Sequence, residues 1–258
     1  MLDIYLVGCG GIGSNLMSSL SSFVHGDAKF RRNLANIYLI DGDVVENKNL
    51  QRTPFDQFHV GLPKVTALYK MYQRRLPIVP ANFFINKANI KETFAPSLSK
   101  DRDLCVIAAT DHLFERALLL DFVRTDVPND NVLWVTAGNS LNKGSAFAWV
   151  KYKGINNPTS YPDLFDLYPQ YQEQLSFTGR NQDGSLGCGM NFNSANEAGQ
   201  TLMINSMSQL AILHILTEFY TNNRFVGFLE YSCENGEVLF RNVPNTEPLD
   251  ITLFGEEI

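Results

Sequence analysis

Cysteine is scarce in this chain of 258 residues: Cys9, Cys105, Cys188 and Cys233 are scattered, with no CxxC pair among them. That spacing argues against a zinc ribbon and against a disulfide framework, so no structural zinc is expected. Long apolar runs are missing too. None can span a bilayer, and the amino end enters a strand without the cationic region and apolar stretch of a signal peptide. A cytoplasmic protein with no membrane partner is therefore expected. Nor is positive charge in excess: Lys+Arg 21 against Asp+Glu 27 gives a net charge of −6, which leaves no electrostatic footprint for nucleic acid. Internal repeats and a clear second-domain boundary are also lacking. What is abundant is core material, 45% hydrophobic and 12% aromatic, enough for one large domain.

Buried strands punctuated by turns and helices carry that material. Ile4-Tyr5-Leu6-Val7 reads as a strand running into Gly8-Cys9-Gly10-Gly11-Ile12-Gly13, a G-x-G-x-x-G set by Gly8, Gly10 and Gly13. Glycines remove the side chains that would hold a phosphate away, and the helix from about Ile12 offers its free N–H groups to an anion. His25 to Leu34 looks like a polar insertion, with Arg31 and Arg32 in it read as solvated. Further strands are expected at Ile37 to Ile40, Asn82 to Ile85, Leu104 to Ala109, Val132 to Ala137 and Ser145 to Tyr152. Helical spacing follows Gly61 and Pro63, with Val65, Leu68, Tyr69 and Leu76 on one face, and again over Leu113 to Val123 and Glu197 to Tyr220. Gly154 to Asn196, rich in Asn, Pro, Tyr, Gln and Gly, lacks periodicity and reads as a long functional loop. Phe225 to Tyr231 and Val238 to Val243 resemble a hairpin about Asn235-Gly236, and the tail from Pro244 reads as partly loose. The fold class this implies is α/β, doubly wound and Rossmann-like, with a mostly parallel sheet.

One stretch turns this general nucleotide fold toward a particular chemistry. Asp41 and Asp43 follow the second strand at once, where an acid can accept hydrogen bonds from a ribose. Asp41 lies further from the glycines than the usual distance of about 20 residues. Asn47, Asn49 and Arg52 come next, and Lys64 opens the following helix, where the helix dipole disfavours a cation unless an anion binds there. Two cations and two amides on one loop suit several phosphate oxygens, although a solvated loop has the same composition. Asp111 closes Leu104 to Ala109 through Thr110. It could cap the next helix or hold Mg²⁺ through oxygen.

Taken together, G-x-G-G-x-G at Gly8 to Gly13, D-x-D-x-V at Asp41 to Val45, N-L-x-R at Asn49 to Arg52, V-G-x-P-K at Val60 to Lys64 and T-D at Thr110-Asp111 resemble the ThiF/MoeB/E1 superfamily of adenylating enzymes. The five elements in this order cover roughly Leu2 to Ala137. Cys188-Gly189, Glu197-Ala198-Gly199, Gln200 and Ile204-Asn205 are similar to ThiF-like proteins of bacterial mobile elements, the PRTRC-type systems. The resemblance implies a single adenylation domain over 1–258: a nucleotide-binding core at 1–153, a crossover loop at 154–196, then a long helix with an antiparallel carboxyl-terminal extension at 197–258. It implies ATP and Mg²⁺ as cofactors. It also implies a small ubiquitin-like or sulfur-carrier protein with a C-terminal Gly as partner, an E2-like protein as a further partner, and a homodimer. Residue by residue, Gly8, Gly10, Gly11 and Gly13 would lie against the nucleotide, Asp41 and Asp43 at its ribose side, Asn49, Arg52 and Lys64 on its phosphates, and Asp111 on Mg²⁺.

The departures are specific. Thr53 stands where many relatives have Gln, and the paired zinc cysteines are missing. Relatives with a helix ahead of the first strand supply an arginine in trans, a role that Arg31 or Arg32 could take here. Cys188, flanked by glycines ahead of a long helix, is either a thioester acceptor or an incidental thiol. An NAD-dependent oxidoreductase would use Gly8 to Gly13 and Asp41 but leave Arg52, Lys64 and Asp111 idle. An inactive E1-like scaffold would not need the phosphate clamp, and a microcin-type enzyme would adenylate a short peptide instead of a folded carrier.

Overall fold

The computed structural model describes residues 1–139, 143–153, 155–156, 164–176, 202–232, 239–242 and 249–250. Five parallel strands form its centre: β1 (Leu2–Val7), β2 (Leu34–Ile40), β3 (Ile78–Ala81), β4 (Asp103–Ala108) and β5 (Asn131–Asn139), in the order β3-β2-β1-β4-β5. The sheet then turns antiparallel through β6 (Lys143–Tyr152), with β7 (Ile155–Asn156) on one end of its edge. After the short β8 (Arg224–Phe225), β9 (Phe228–Ser232) and β10 (Leu239–Asn242) complete the sheet, and β11 (Leu249–Asp250) pairs with β8. The fold is thus the doubly wound α/β class with an antiparallel extension.

Helices cover both faces, which is why the parallel strands are largely apolar on both. Along β1 all six positions are buried. Leu2, Ile4 and Leu6 join the core beneath α1 (Gly11–Gly26), while Tyr5 and Val7 enter the core on the other face. After α2 (Ala28–Asn33), α3 (Lys64–Tyr72) lies on the first face, whereas Phe94 of α4 (Ile90–Phe94) and the long α5 (Leu113–Thr125) fill the second. Two short helices, α6 (Leu164–Leu167) and α7 (Gln170–Glu173), bury Leu164, Phe165 and Tyr171 on that second side. The final helix α8 (Leu202–Tyr220) packs on α1, β5 and β6. Asp3, the one charge inside β1, is fully buried and accepts hydrogen bonds from Arg102, Ser97 Oγ and Asn36 Nδ2.

Four expectations shift. The third strand lies at Ile78–Ala81 instead of Asn82 to Ile85. As the sheet edge it buries only Ile78, and it tolerates Pro80 because an edge strand has N–H positions that need no ladder partner. The apolar run that suggested a strand works as a loop, with Ile85 in the core and the Phe84 ring 2.7 Å from where a Cβ on Gly42 would stand. The insertion from His25 holds a helix, and Phe30 within it packs on Phe23 and Tyr220 at ring-centroid distances of 4.7 and 5.4 Å. The loop from Gly154 contains α6 and α7, and the tail contributes β11. Cys188, Glu197 to Gln200 and the Asn235-Gly236 turn lie outside the described residues. Among those described, no helix is long and apolar enough to cross a membrane.

Asp27 ties α2 to the end of α8. Its carboxylate caps α2 by accepting from Phe30 N at 2.8 Å and also accepts from Thr221 Oγ at 2.8 Å. Burial pushes its pKa up, but these hydrogen bonds and the nearby Lys29 outweigh that and leave it below the ordinary 3.8. A carboxyl depressed in the folded state contributes stability that is fully present above its unfolded pKa and is lost as pH falls through the folded value. Asp27→Ala is therefore expected to cost about 1 kcal/mol at pH 7. In urea melts the gap to wild type should close below pH 3.8, and a gap that persists undiminished in acid would count against the cap.

Candidate functional site

The site gathers at the carboxyl ends of β1, β2 and β4, where the chain leaves β1 toward one face and β4 toward the other. Such a switch point opens a crevice that ligands occupy in doubly wound sheets. β1 ends in Gly8, whose φ of +94° and close approach to β4 both require glycine: a Cβ there would stand 2.7 Å from the Ala109 carbonyl and the Thr110 nitrogen. Gly13 is needed for packing alone, since its Cβ would stand 1.9 Å from the Gly8 oxygen. Gly10 differs, because none of the described residues lies within 4 Å of the place its Cβ would take. α1 starts directly after it, with no side-chain cap and no acid in its first turn among the described residues. Among the described residues, the positive end of a sixteen-residue helix is therefore left uncovered at Gly10.

Asp41 joins this loop to the next. It is 6% exposed, and its Oδ2 accepts from Cys9 N at 2.6 Å while its Oδ1 accepts from Asp43 N at 2.7 Å. Burial pushes its pKa above the ordinary value, and the Lys64 charge with the two N–H donors offsets that only in part. Each oxygen keeps a further lone pair for a ligand hydroxyl. Cys9 is buried beside it, its thiol raised by burial and then by the Asp41 charge, so it serves as core filler and not as a nucleophile. Cys105 is likewise buried, and burial pushes its pKa up to about 12.

The polar segment after Asp43 is held closed at its base. Val45 N donates to Leu62 O at 2.8 Å, Gly61 N to Val45 O at 2.9 Å and Lys64 N to Asp43 O at 3.0 Å. These contacts place Lys64 at the start of α3 with Nζ 2.8 Å from Asp43 Oδ2. Within the loop, buried Asn49 accepts from Glu46 N at 2.9 Å and shapes a capped turn. Arg52 is positioned from α1: Asn15 Nδ2 donates to Arg52 O at 2.9 Å and to Gly11 O at 2.6 Å, pinning the loop to the glycines.

Asp111 enters from β4, with its side chain 87% exposed and His112 Nε2 3.6 Å from its carboxylate. The segment behind it is firm. Thr110 Oγ donates to buried Glu115, and buried Arg116 Nε donates to Thr110 O at 2.7 Å. Hence Asp111 is presented to solvent and does not cap α5, whose first residue follows an uncapped His112. An exposed carboxylate in this position could hold Mg²⁺, which keeps several waters and takes one or two protein carboxylates alongside phosphates. Among the described residues no group of three or more His, Cys, Asp or Glu side chains gathers around a metal-sized space.

The structure therefore unites Gly8, Gly10, Gly11, Gly13, Asp41, Asp43, Asn49, Arg52, Lys64 and Asp111 at one end of the sheet, while Cys188 falls outside the described residues. Arg31 and Arg32 stand just ahead of Leu34, at the amino end of β2, so they do not reach the site at the carboxyl ends of the strands. Glu115 and Arg116 are polar residues at an otherwise apolar helical face, a signal the sequence carries, whereas Asn15 lies among the serines of the polar face of α1 and only the structure reveals its bond to Arg52.

A family model described as the ThiF family matches residues 2–245. No curated protein matches the chain. Among solved structures, E. coli MccB with AMPCPP and selenomethionine MccA is similar at a TM-score of 0.61 and 15% identity, over 95% of this chain and 64% of that one. Selenomethionine PaaA gives 0.58 and 14%, over 94% and 64%. E. coli MccB with ATP gives 0.55 and 16%, over 93% and 63%. The chain spans less than two thirds of each of these proteins, and at this identity the likeness is one of fold.

Two glycine variants separate packing from approach. Gly13→Ala should lower stability by about 3 kcal/mol, because backbone must move, whereas Gly10→Ala should stay within about 0.5 kcal/mol of wild type. Equal losses in chemical denaturation would mean that the opening at Gly10 is not there.

Proposed function

This chain belongs to the ThiF family, and on that premise we propose that it activates a carboxylate by ATP-dependent adenylation. The observation that carries the proposal is the meeting of the acidic and cationic loop with the glycine loop: Asp41 bonded to Cys9 N, Arg52 pinned through Asn15, and Lys64 held by Asp43. A dinucleotide site has use for the glycines and Asp41 but none for that clamp.

In this scheme Asp41 takes the ribose hydroxyls, Asn49, Arg52 and Lys64 take phosphate oxygens, and Asp111 holds Mg²⁺. The metal, when bound, neutralises phosphate charge. The substrate carboxylate forms a bond from its oxygen to the α-phosphorus, the bond from that phosphorus to the bridging oxygen breaks, and pyrophosphate leaves with the electron pair. No side chain has to move a proton, because an ionised carboxylate is already the nucleophile. Catalysis then consists of positioning and of positive charge against like-charge repulsion. Lys64 suits this because Asp43 holds its ammonium at the helix start until a phosphate competes for it.

Residues 1–153 form the nucleotide-binding core in this proposal, 154–196 the crossover and 197–258 the closing helix and strands. The substrate is the C-terminal carboxylate of a small carrier protein of the ubiquitin-like or sulfur-carrier kind. A peptide substrate is the second reading, supported by the similarity to MccB, which was solved with MccA and with AMPCPP or ATP.

Mg-ATP should raise the melting temperature where NAD⁺ and NADH do not. At a concentration 100 times Kd the gain is about 2.7 kcal/mol, or roughly 5 to 10 °C for a domain of this size. Asp111→Ala should lose the part that depends on Mg²⁺. Stabilisation by NAD⁺ alone would overturn the proposal. Once a carboxylate substrate is in hand, Lys64→Ala should reduce ATP–pyrophosphate exchange by roughly 100-fold or more while leaving the fold intact; exchange near the wild-type rate would remove Lys64 from the phosphate clamp.

A further inference from the structure

Buried within α8 is an amide aimed at the glycine loop and without an acceptor among the described residues. Asn205 is 2% exposed, and its Nδ2 is buried without a hydrogen-bond acceptor among the described residues. The direction of that amide follows from its neighbours. Ser208 Oγ donates its proton to Ile204 O at 2.9 Å, so towards Asn139 it acts as acceptor, and Asn139 Nδ2 donates to it at 2.7 Å. The same Asn139 Nδ2 donates to Asn205 Oδ1 at 3.1 Å. With its oxygen engaged there, Asn205 turns Nδ2 the other way, to a point 2.6 Å from where a Cβ on Gly11 would stand. Tyr231 stiffens the set from β9, its hydroxyl lying 2.8 Å from Ser208 Oγ and 3.0 Å from Gly138 O.

Gly11 is the first residue of α1, and the helix end beside it carries no side-chain cap. The nearby carbonyls already serve others: Gly11 O accepts from Asn15 Nδ2 at 2.6 Å, and Gly10 O accepts from Ser14 N and Oγ at 3.0 and 2.6 Å. A buried amide donor is costly to leave unmade, and bulk water does not reach this one. The missing partner is an acceptor that arrives at the amino end of α1, where the free N–H groups and the dipole favour an anion.

We infer that Asn205 is a ligand-binding residue whose Nδ2 donates to a phosphoryl oxygen of the nucleotide held at the glycine loop. The inference rests on the nucleotide reading and extends it to a residue 194 positions after Gly11, beyond the motifs of the Rossmann half. The absent side chain at Gly11 gains a second purpose: it leaves the amide in direct contact with the loop. Asn139, Ser208 and Tyr231 keep the donor oriented before the ligand arrives, so little order is lost on binding.

The test is calorimetric titration of the full chain with ATP and with adenosine, in the presence of MgCl₂, on wild type, Asn205→Asp and Asn205→Ala. Asn205→Asp keeps shape and the acceptor for Asn139 but replaces the donor with an oxygen, so ATP should bind at least tenfold more weakly. Asn205→Ala should weaken ATP by about threefold to tenfold, and adenosine should stay within about twofold in both variants. Parallel weakening of ATP and adenosine would show that Asn205 merely packs the loop, and unchanged ATP affinity would show that its donor meets no phosphate; either result overturns the inference. Should Asn205→Asp fail to fold, the ratio of the two affinities in Asn205→Ala decides. A wild type that binds no ATP overturns the nucleotide reading itself, before any variant is made.

Discussion

The two hydrogen bonds into the Asp41 carboxylate, from Cys9 N and from Asp43 N, are the constraint on which the rest of the site depends. The first fixes the glycine loop against the end of β2, and the second sets the direction in which the chain leaves that strand. Because the carboxylate is buried, losing either donor would leave charge without compensation in a poorly solvated place. Everything further along, the closed base at Val45 and Leu62, the capped turn at Asn49 and the start of α3 at Lys64, is positioned from that corner.

Around it the molecule distributes its polar groups by purpose. At the amino ends of the strands, Asp3 is enclosed by Arg102, Ser97 and Asn36 and is fully satisfied, which makes it a structural anchor. At the carboxyl ends, donors and acceptors alike are left with capacity to spare. The α1 terminus is uncapped, Asp41 has lone pairs in reserve, Asp111 is exposed, and the Asn205 amide lacks an acceptor among the described residues. Polar capacity of both signs gathered where the glycine loop meets the ends of the strands is what a site for a charged, hydroxyl-bearing ligand requires.

The antiparallel extension contributes more than coverage for the sheet edge. β5 and β6 carry Asn139 and Gly144 to α8 and β9, where Tyr231 lies over Gly144 and reaches the Ser208 hydroxyl. That arrangement connects the carboxyl-terminal half to the glycine loop through the Tyr231, Ser208, Asn139 and Asn205 side chains.

From the residues alone the doubly wound class was legible, because largely apolar strands, glycines and carboxylates occur in an order that only a parallel sheet with helices on both faces accommodates. The residues of the acidic and cationic loop were legible as well, since a short segment keeps its own members close in space. Tertiary structure decided what depends on neighbours distant in sequence. It put the third strand at Ile78–Ala81, where an edge position excuses a proline and exposure of most side chains. It gave Leu249–Asp250 a partner in β8, which no local pattern announces. It separated Gly13, forced by the Gly8 carbonyl, from Gly10, which none of the described residues crowds, although both fit the same motif. And it brought Asn205 to Gly11 across the core, because the aim of a side-chain amide is set by the donors and acceptors packed around it and not by its place in the chain.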